Sequence, residues 1–288
     1  MAIEPPAGGD GFWAGGPSAV LHDGVWWLAY RLRRPVDQGR GYANVVARSD
    51  DGVHFSEVAT VTSAGMQSAS LERPALAVRP DGGWRLYVSC STLGSKHWWV
   101  EALDADEPAG LAEGRRTVVL PGSADEAWKD VVVAAGDEGW QMWACRHPLD
   151  GGDDEADRMS TWYATSPDGL DWTLQAEAMT PGQGWDRRGA RVTAVWPGRD
   201  GVLHALYDGR ASAQENWYER TGTASGTAAS LTPTGGPVPA QPGRALRYAS
   251  VVPCDGGLRV YFEQTRPDGA HDLRTVYVPL PVGDSQSV

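Results

Sequence analysis

One pattern recurs along this chain and constrains its fold more than any other feature. A short apolar strand runs into a turn carrying Asp and Gly, and an aromatic-rich strand follows. The copies are Pro17-Ser-Ala-Val-Leu-His-Asp-Gly-Val-Trp26-Trp-Leu-Ala-Tyr30, Pro74-Ala-Leu-Ala-Val-Arg-Pro-Asp-Gly-Gly-Trp84-Arg-Leu-Tyr87 and Asp130-Val-Val-Val-Ala-Ala-Gly-Asp-Glu-Gly-Trp140-Gln-Met-Trp143. Two more are Thr193-Ala-Val-Trp-Pro-Gly-Arg-Asp-Gly-Val-Leu203-His-Ala-Leu-Tyr207 and Tyr248-Ala-Ser-Val-Val-Pro-Cys-Asp-Gly-Gly-Leu258-Arg-Val-Tyr261. The second strands start at Trp26, Trp84, Trp140, Leu203 and Leu258, in steps of 58, 56, 63 and 55 residues. Five steps of that size fill 288 residues.

Each turn has the Asp and Gly that tight hairpins use to reach positive φ, so Asp23, Asp81, Asp137, Asp200 and Asp255 are read as turn-formers. A second motif, Ser-x-Asp-Gly-x-x-[Phe/Trp], covers Ser49–Phe55 and Ser166–Trp172, with its Asp residues at 51 and 168. Its offset of two repeat lengths supports the same period. No amphipathic helical stretch of useful length is present, and the Ala-rich segments near 105–113 and 224–229 read as loops. The pattern predicts an all-β chain, a five-bladed β-propeller of four-stranded antiparallel blades. The expected blades are approximately 12–62, 70–121, 127–180, 186–235 and 244–282, within one domain spanning 1–288.

Composition narrows the partners. With 37 acidic and 25 basic residues the net charge is −12. That opposes general affinity for nucleic acid or an anionic membrane. There is no run of 18 apolar residues to span a bilayer. The N-terminal residues lack the basic and apolar regions of a secretory signal, so a cytoplasmic location is expected. Cys90, Cys145 and Cys254 have no CxxC spacing and read as reduced structural thiols. The acidic run Asp150–Asp157 lacks calcium-loop spacing and reads as solvated. The aromatic balance is unusual, with 14 Trp and 9 Tyr against 3 Phe. Trp26, Trp84, Trp140 and Trp172 fall in the repeat, whereas Trp13, Trp98, Trp128, Trp185 and Trp217 fall beside segments expected at the axial mouth.

In a propeller blade the mouth is lined by the start of the first strand and by the loop between strands two and three. Aligned on the second strands, Arg73, Lys129 and Arg247 are equivalent, and Arg191 is one residue off. A cationic ring in so acidic a protein needs carboxylates or an anionic ligand to balance it. The internal carboxylates available are Glu72, Asp130 and Asp186. The loops between strands two and three add Arg31, Arg33, Arg34, Lys96, Trp98, Arg146, His147, Asp208, Arg210, Glu215, Asn216, Trp217 and Glu263. With Tyr248, Trp128 and Trp185 these are the residue types that hold a polyhydroxylated ring: polar groups for hydroxyl pairs and indoles for the C–H face.

In its five units, in Pro17 and Pro74 at inner-strand starts, and in its Ser-x-Asp-Gly turns, the chain resembles the five-bladed propeller glycoside hydrolases of families 43 and 32 and their relatives. The resemblance covers nearly the whole chain. It implies a carboxylate base or nucleophile in blade one, a pKa-modulating Asp in blade three and an acid Glu in blade four. The first of these falls at Gly16 and is absent. The second matches Asp130, and the third falls near Asp186. The implied function is a carbohydrate-active enzyme, with Glu72, Asp130 and Asp186 as acid–base candidates and Glu215 or Asp208 in reserve. Its expected partner is a small sugar, for which the cationic mouth points to an anionic one, and no cofactor and no metal are assigned. Two alternatives share the scaffold: a non-hydrolytic lyase, isomerase or cyclase using His147 or Tyr248 for proton transfer, and a sugar-binding module without chemistry.

Overall fold

The computed structural model describes residues 1–136, 139–151, 158–198, 201–238 and 246–280. The turn-forming Asp137 and Asp200, and most of the acidic run, lie outside those residues. The first unit comprises β1 (Trp13–His22), β2 (Val25–Arg33), β3 (Gly41–Ser49) and β4 (Ser56–Thr62). The second holds β5 (Ala75–Val78), β6 (Trp84–Ser91), β7 (Trp98–Ala105) and β8 (Arg115–Leu120). The third holds β9 (Glu126–Gly136), β10 (Gly139–Pro148), β11 (Ser160–Ser166) and β12 (Thr173–Met179). The fourth holds β13 (Ala190–Pro197), β14 (Leu203–Gly209), β15 (Arg220–Thr227) and β16 (Ser230–Gly235), and the last β17 (Leu246–Cys254), β18 (Gly257–Thr265) and β19 (His271–Pro279).

The middle three units are separate four-stranded antiparallel sheets, and the first and last share a seven-stranded sheet. In that sheet β19 and β1 meet at a single parallel pair, Trp13 with His271. The inner strands touch in a closed order, β1 with β5, β5 with β9, β9 with β13, β13 with β17, and β17 with β1. The fold is a β-propeller of four-stranded antiparallel blades. The last unit departs from expectation, because residues 246–279 supply three strands only. The fourth position is taken by the N-terminal segment: Ala2 N–H donates to Leu273 O at 2.8 Å and Leu273 N–H to Ile3 O at 3.0 Å. Residues 108–113 form a 3₁₀ turn and 220–227 a strand, where the Ala-rich composition had suggested loops.

Apolar residues of neighbouring blades form the core. One cluster joins Val46 and Val61 to Leu76, Leu86 and Leu103, and another joins Tyr87 and Val100 to Trp128, Trp140 and Met142. Trp84 and Trp140 are buried in these seams, and Trp26 is buried in another with Tyr261 and Leu273. The Ser-x-Asp-Gly motif closes in the same way twice. Ser49 Oγ accepts from Gly52 N and Asp51 Oδ1 from Val53 and His54 N, matched by Ser166, Gly169, Asp168, Leu170 and Asp171. Gly52 lies against the Trp26 ring and Gly169 against Trp140, where a Cβ would collide. Tyr261 and Tyr87 then donate to Gly52 O and Gly169 O, tying each turn to an adjacent blade. Cys90 and Cys145 are buried thiols that burial raises to about 12, so they stay protonated at neutral pH.

Candidate active site

Inner strands slip in register where they reach the mouth, between Gly15 and Ser18, Val192 and Ala194, and Arg247 and Ser250, and β9 slips opposite Trp143–Cys145. A bulge of this kind re-aims the side chains at the strand start. Three equivalent residues there have left-handed backbone: Gly16 (φ 59°), Asp130 (φ 53°) and Tyr248 (φ 51°). For the two non-glycines this conformation costs about 1–3 kcal/mol each. Hydrogen bonds hold it, from Asp130 N to Ser89 Oγ at 2.9 Å and from Tyr248 N to Asp208 Oδ2 at 2.8 Å.

The bulges surround a cavity of about 250 Å³ to which all five units contribute. First-strand starts supply Trp13, Glu72, Lys129, Arg191, Arg247 and Tyr248. Second strands and the segments after them supply Arg31, Arg33, Arg40, Lys96, Trp98 and His147, with Asn216, Trp217 and Glu219 from the fourth unit. Seven lysine and arginine side chains therefore line the cavity against two carboxylates.

A network of buried charge lies beneath it. Arg191 Nη1 contacts Asp130 Oδ2 at 3.3 Å, and its Nη2 contacts Asp208 at 3.1 Å and Glu219. Glu219 also takes Arg210 at 3.0 Å and Arg247 at 3.1 Å. Arg247 Nε reaches Glu263 at 2.8 Å, and Glu263 accepts from His271 Nδ1 at 2.9 Å. Glu72 pairs with Arg31. Burial pushes the Asp130 carboxyl upward, but Lys129 and Arg191 outweigh it and hold it at about 2. Burial likewise opposes ionisation of Glu219, and the guanidiniums of Arg191, Arg210 and Arg247 keep it below the usual carboxylate range. Burial lowers the Lys129 ammonium, partly offset by Asp130.

Aromatic faces complete the wall. Trp13 and Trp217 meet edge to face at 5.6 Å. The guanidinium carbon of Arg33 lies 3.9 Å from the Trp13 ring centre and 4.8 Å from that of Trp217. Lys129 Nζ sits 4.7 Å from the Trp98 ring centre, and Arg191 lies 4.0 Å from that of Tyr248.

The expected site residues divide into two groups. Glu72, Lys129, His147, Arg191, Asn216, Arg247 and Tyr248 line the cavity. Asp130 is one layer behind it, its Oδ2 covered by the Tyr248 hydroxyl at 3.2 Å. Asp208 and Arg210 are buried in the charge network and act through Arg191 and Glu219. Asp186 is not brought to the cavity; it accepts from the Tyr207 hydroxyl at 2.9 Å. Trp185 stacks on Tyr207 at 5.5 Å, and Trp128 is core. Arg146 pairs with Glu126 and Glu215 with Arg220, both away from the cavity lining.

Arg73 has a different job from the one its alignment suggested. Its guanidinium donates to Pro17 O at 2.9 Å, Thr193 O at 2.8 Å and Ala249 O at 3.4 Å, while its backbone N–H reaches Asp130 Oδ1 at 3.2 Å. One side chain of the second unit thus fastens the inner strands of the first, fourth and fifth. The missing blade-one carboxylate has a physical counterpart here. A Cβ on Gly16 would press on Arg73, and one on Gly15 would overlap the Glu263 carboxylate. Glu219 carries no sequence signal beyond its place two residues after Trp217, just ahead of β15.

No family model matches the chain, and no curated protein sequence does. Solved structures do. A thermostable family-43 glycoside hydrolase superposes with a TM-score of 0.73 at 13% identity, over 96% of this chain and 93% of that one. An α-L-arabinofuranosidase from Lactobacillus brevis gives 0.68 at 13% identity, over 94% and 91%. An endo-arabinase from Bacteroides thetaiotaomicron gives 0.62 at 13% identity, over 94% and 95%. The fold is that of the propeller glycoside hydrolases. At this identity the likeness is one of fold, and the chemistry rests on the cavity's own residues.

Proposed function

We propose that this propeller is a carbohydrate-active enzyme that takes a small anionic sugar in its axial cavity. The observation that carries the reading is the lining itself, seven cationic side chains against two carboxylates. Arginine grips carboxylate, sulfate or phosphate substituents through paired hydrogen bonds. Trp13, Trp98 and Trp217 offer faces for a sugar's C–H surface, and Asn216 offers an amide for hydroxyls. The similar propellers named above, a family-43 glycoside hydrolase and an α-L-arabinofuranosidase, support a glycosidic substrate.

In a hydrolytic reaction Glu219 would serve as base or nucleophile, since its arginine partners keep it ionised. Glu72 is the second carboxylate within reach, and Asp130 positions Tyr248 and Lys129 rather than touching the sugar. The proton donor would be Lys129, whose burial makes the ammonium a stronger acid. A second reading, non-hydrolytic chemistry, is favoured by one observation: both cavity carboxylates are ion-paired with arginine, which opposes the protonated carboxyl that paired-carboxyl hydrolysis uses.

A panel of nitrophenyl glycosides, neutral and uronate, tests the proposal. Release of nitrophenol from an anionic glycoside supports hydrolysis. A new ultraviolet-absorbing double bond without hydrolysis would move the assignment to elimination. Thermal stabilisation by sugars with no turnover at all would leave a binding module and overturn the enzymatic reading.

A further inference from the structure

We propose that the cavity holds the phosphate group of its ligand on Arg33, with Arg31 and Arg247 beside it around the Trp13 ring. This rests on, and sharpens, the reading of the cavity as an anionic-sugar site. Arg33 is 5% exposed and lines the cavity, yet its guanidinium forms no hydrogen bond or ion pair among the described residues, and its Nη1 is buried without an acceptor. Its guanidinium carbon lies 3.9 Å and 4.8 Å from the Trp13 and Trp217 ring centres, contacts that supply no hydrogen-bond acceptor in the ring plane, so its N–H groups remain for a ligand. Proteins rarely keep a buried charge unpaired, because desolvation is repaid only by a partner. Arg31 repeats the pattern in part: Nη1 pairs with Glu72, while Nε and Nη2 are buried without acceptors.

The local charge selects the kind of anion. Arg31, Arg33, Arg73, Lys129, Arg191, Arg210 and Arg247 face Glu72, Asp130, Asp208, Glu219 and Glu263, seven cations against five carboxylates among the described residues of the buried network. His271 adds no charge at neutral pH, since burial lowers its ordinary value. At least two positive charges are left over, before Arg40 and Lys96 at the cavity lining are added. A carboxylate or a sulfate ester carries one negative charge, whereas a phosphate monoester carries about −1.5 to −2 at pH 7. Of the three, the phosphate monoester offsets most of that excess. Burial and the neighbouring Arg31 and Arg247 pull Arg33 down to about 9, a strain that a dianion would relieve. The cavity, about 250 Å³, falls below the usual range of roughly 300–1,000 Å³ for drug-sized ligands, which suits a phosphorylated monosaccharide or free phosphate.

Calorimetric titration of the full chain at fixed ionic strength tests this with inorganic phosphate, a hexose phosphate, a hexose sulfate ester, a hexuronate and a neutral hexose. Phosphate or the hexose phosphate is expected to bind at least about tenfold more tightly than the hexose sulfate or the hexuronate. Binding of inorganic phosphate alone assigns the group to a free ion, and binding of the hexose phosphate alone assigns it to a sugar substituent; either supports the subsite. Arg33→Met keeps an apolar stem of similar length without the charge. It is expected to fold, to be at least as stable as the parent in phosphate-free buffer, and to lose at least tenfold in phosphate affinity. Arg33→Lys, with the charge but not the planar fork, should fall between. Unchanged phosphate affinity in Arg33→Met, or equal binding of the hexose sulfate and the hexose phosphate, would overturn the proposal. Binding of the neutral hexose or hexuronate without phosphate binding would overturn it and leave the sugar-site reading standing, whereas phosphate binding with no sugar bound would do the reverse.

Discussion

The Tyr248 hydroxyl donates to Asp130 Oδ2 at 3.2 Å across the propeller, and both residues hold left-handed backbone at the same point of their inner strands. Asp130 is wholly buried, and Tyr248 is the wall between it and the cavity. Whatever Asp130 contributes to a bound ligand passes through that phenol and through Lys129 and Arg191. Burial raises the Tyr248 phenol above its ordinary value, so it stays a neutral donor.

Removing that hydroxyl tests the relay. Tyr248→Phe is expected to cost about 0.5–1.5 kcal/mol of stability, the net worth of one hydrogen bond. A cycle combining it with Asp130→Asn should show coupling on the order of 0.5–3 kcal/mol in stability and in ligand binding. Strictly additive effects by chemical denaturation and calorimetry would show that the two side chains do not act together.

Arg73 should be intolerant of replacement. Arg73→Met leaves the Pro17 and Thr193 carbonyls without their donor and weakens the surroundings of Asp130. Breaking one side of a buried polar arrangement costs about 3–5 kcal/mol. The unfolding midpoint is expected to fall by roughly 10 °C or more, read by scanning calorimetry.

Gly16→Asp restores a carboxylate at the position that the propeller resemblance assigns to the base. It is expected to destabilise by about 1–3 kcal/mol, because Asp must adopt φ near 59° against the Arg73 stem. It should bring no gain in hydrolysis of neutral nitrophenyl glycosides. A rise in that rate would mean the bulge can carry the missing group.

Acid should unlock the charge network. Burial alone would raise the Glu263 carboxyl, but Arg247, His271 and Arg31 hold it well below its ordinary value. The unfolded chain then binds more protons than the folded one. The pairing contributes full stability above the unfolded value of about 4.3 and loses it as pH falls below. Glu219 has the same sign for the same reason. Glu263→Gln should flatten the acid limb of stability against pH, and a limb of unchanged slope would assign it to other carboxylates.

Removing residues 1–4 should weaken the last unit. The loss of Ala2 N to Leu273 O and Leu273 N to Ile3 O leaves β19 with an unpaired edge. Amide hydrogen exchange in β18 and β19 is expected to rise before that of β5–β8, where the effect should be small.

The parts of this molecule legible in the sequence are those where a residue type answers a local backbone demand. Asp23–Gly24, Asp51–Gly52 and Asp168–Gly169 form their turns because their φ values and side-chain acceptors are local properties. The cations at the inner-strand starts were legible by alignment, and Lys129, Arg191 and Arg247 do reach the cavity. What alignment lacks is the direction a bulge gives each side chain. Arg73 turns into the axis while Lys129 turns into the cavity, though both stand 11 residues ahead of their second strands. Glu219 and Glu263 were hard to weigh because a carboxylate's burial depends on arginines 28 and 16 residues away. Asp186 reads as a mouth residue, yet it is buried and accepts from the Tyr207 hydroxyl on β14, away from the cavity lining.

The Arg73 bolt has a mechanical consequence. In open repeat arrays each module answers only to its neighbours, so ends can fray or be trimmed. Here a single guanidinium reports to strands 56, 120 and 176 residues away, and closing the circle is what brings those strands within its reach. Loosening any one blade would be felt at the hub, so the repeats should melt as one and no blade should be removable as a module.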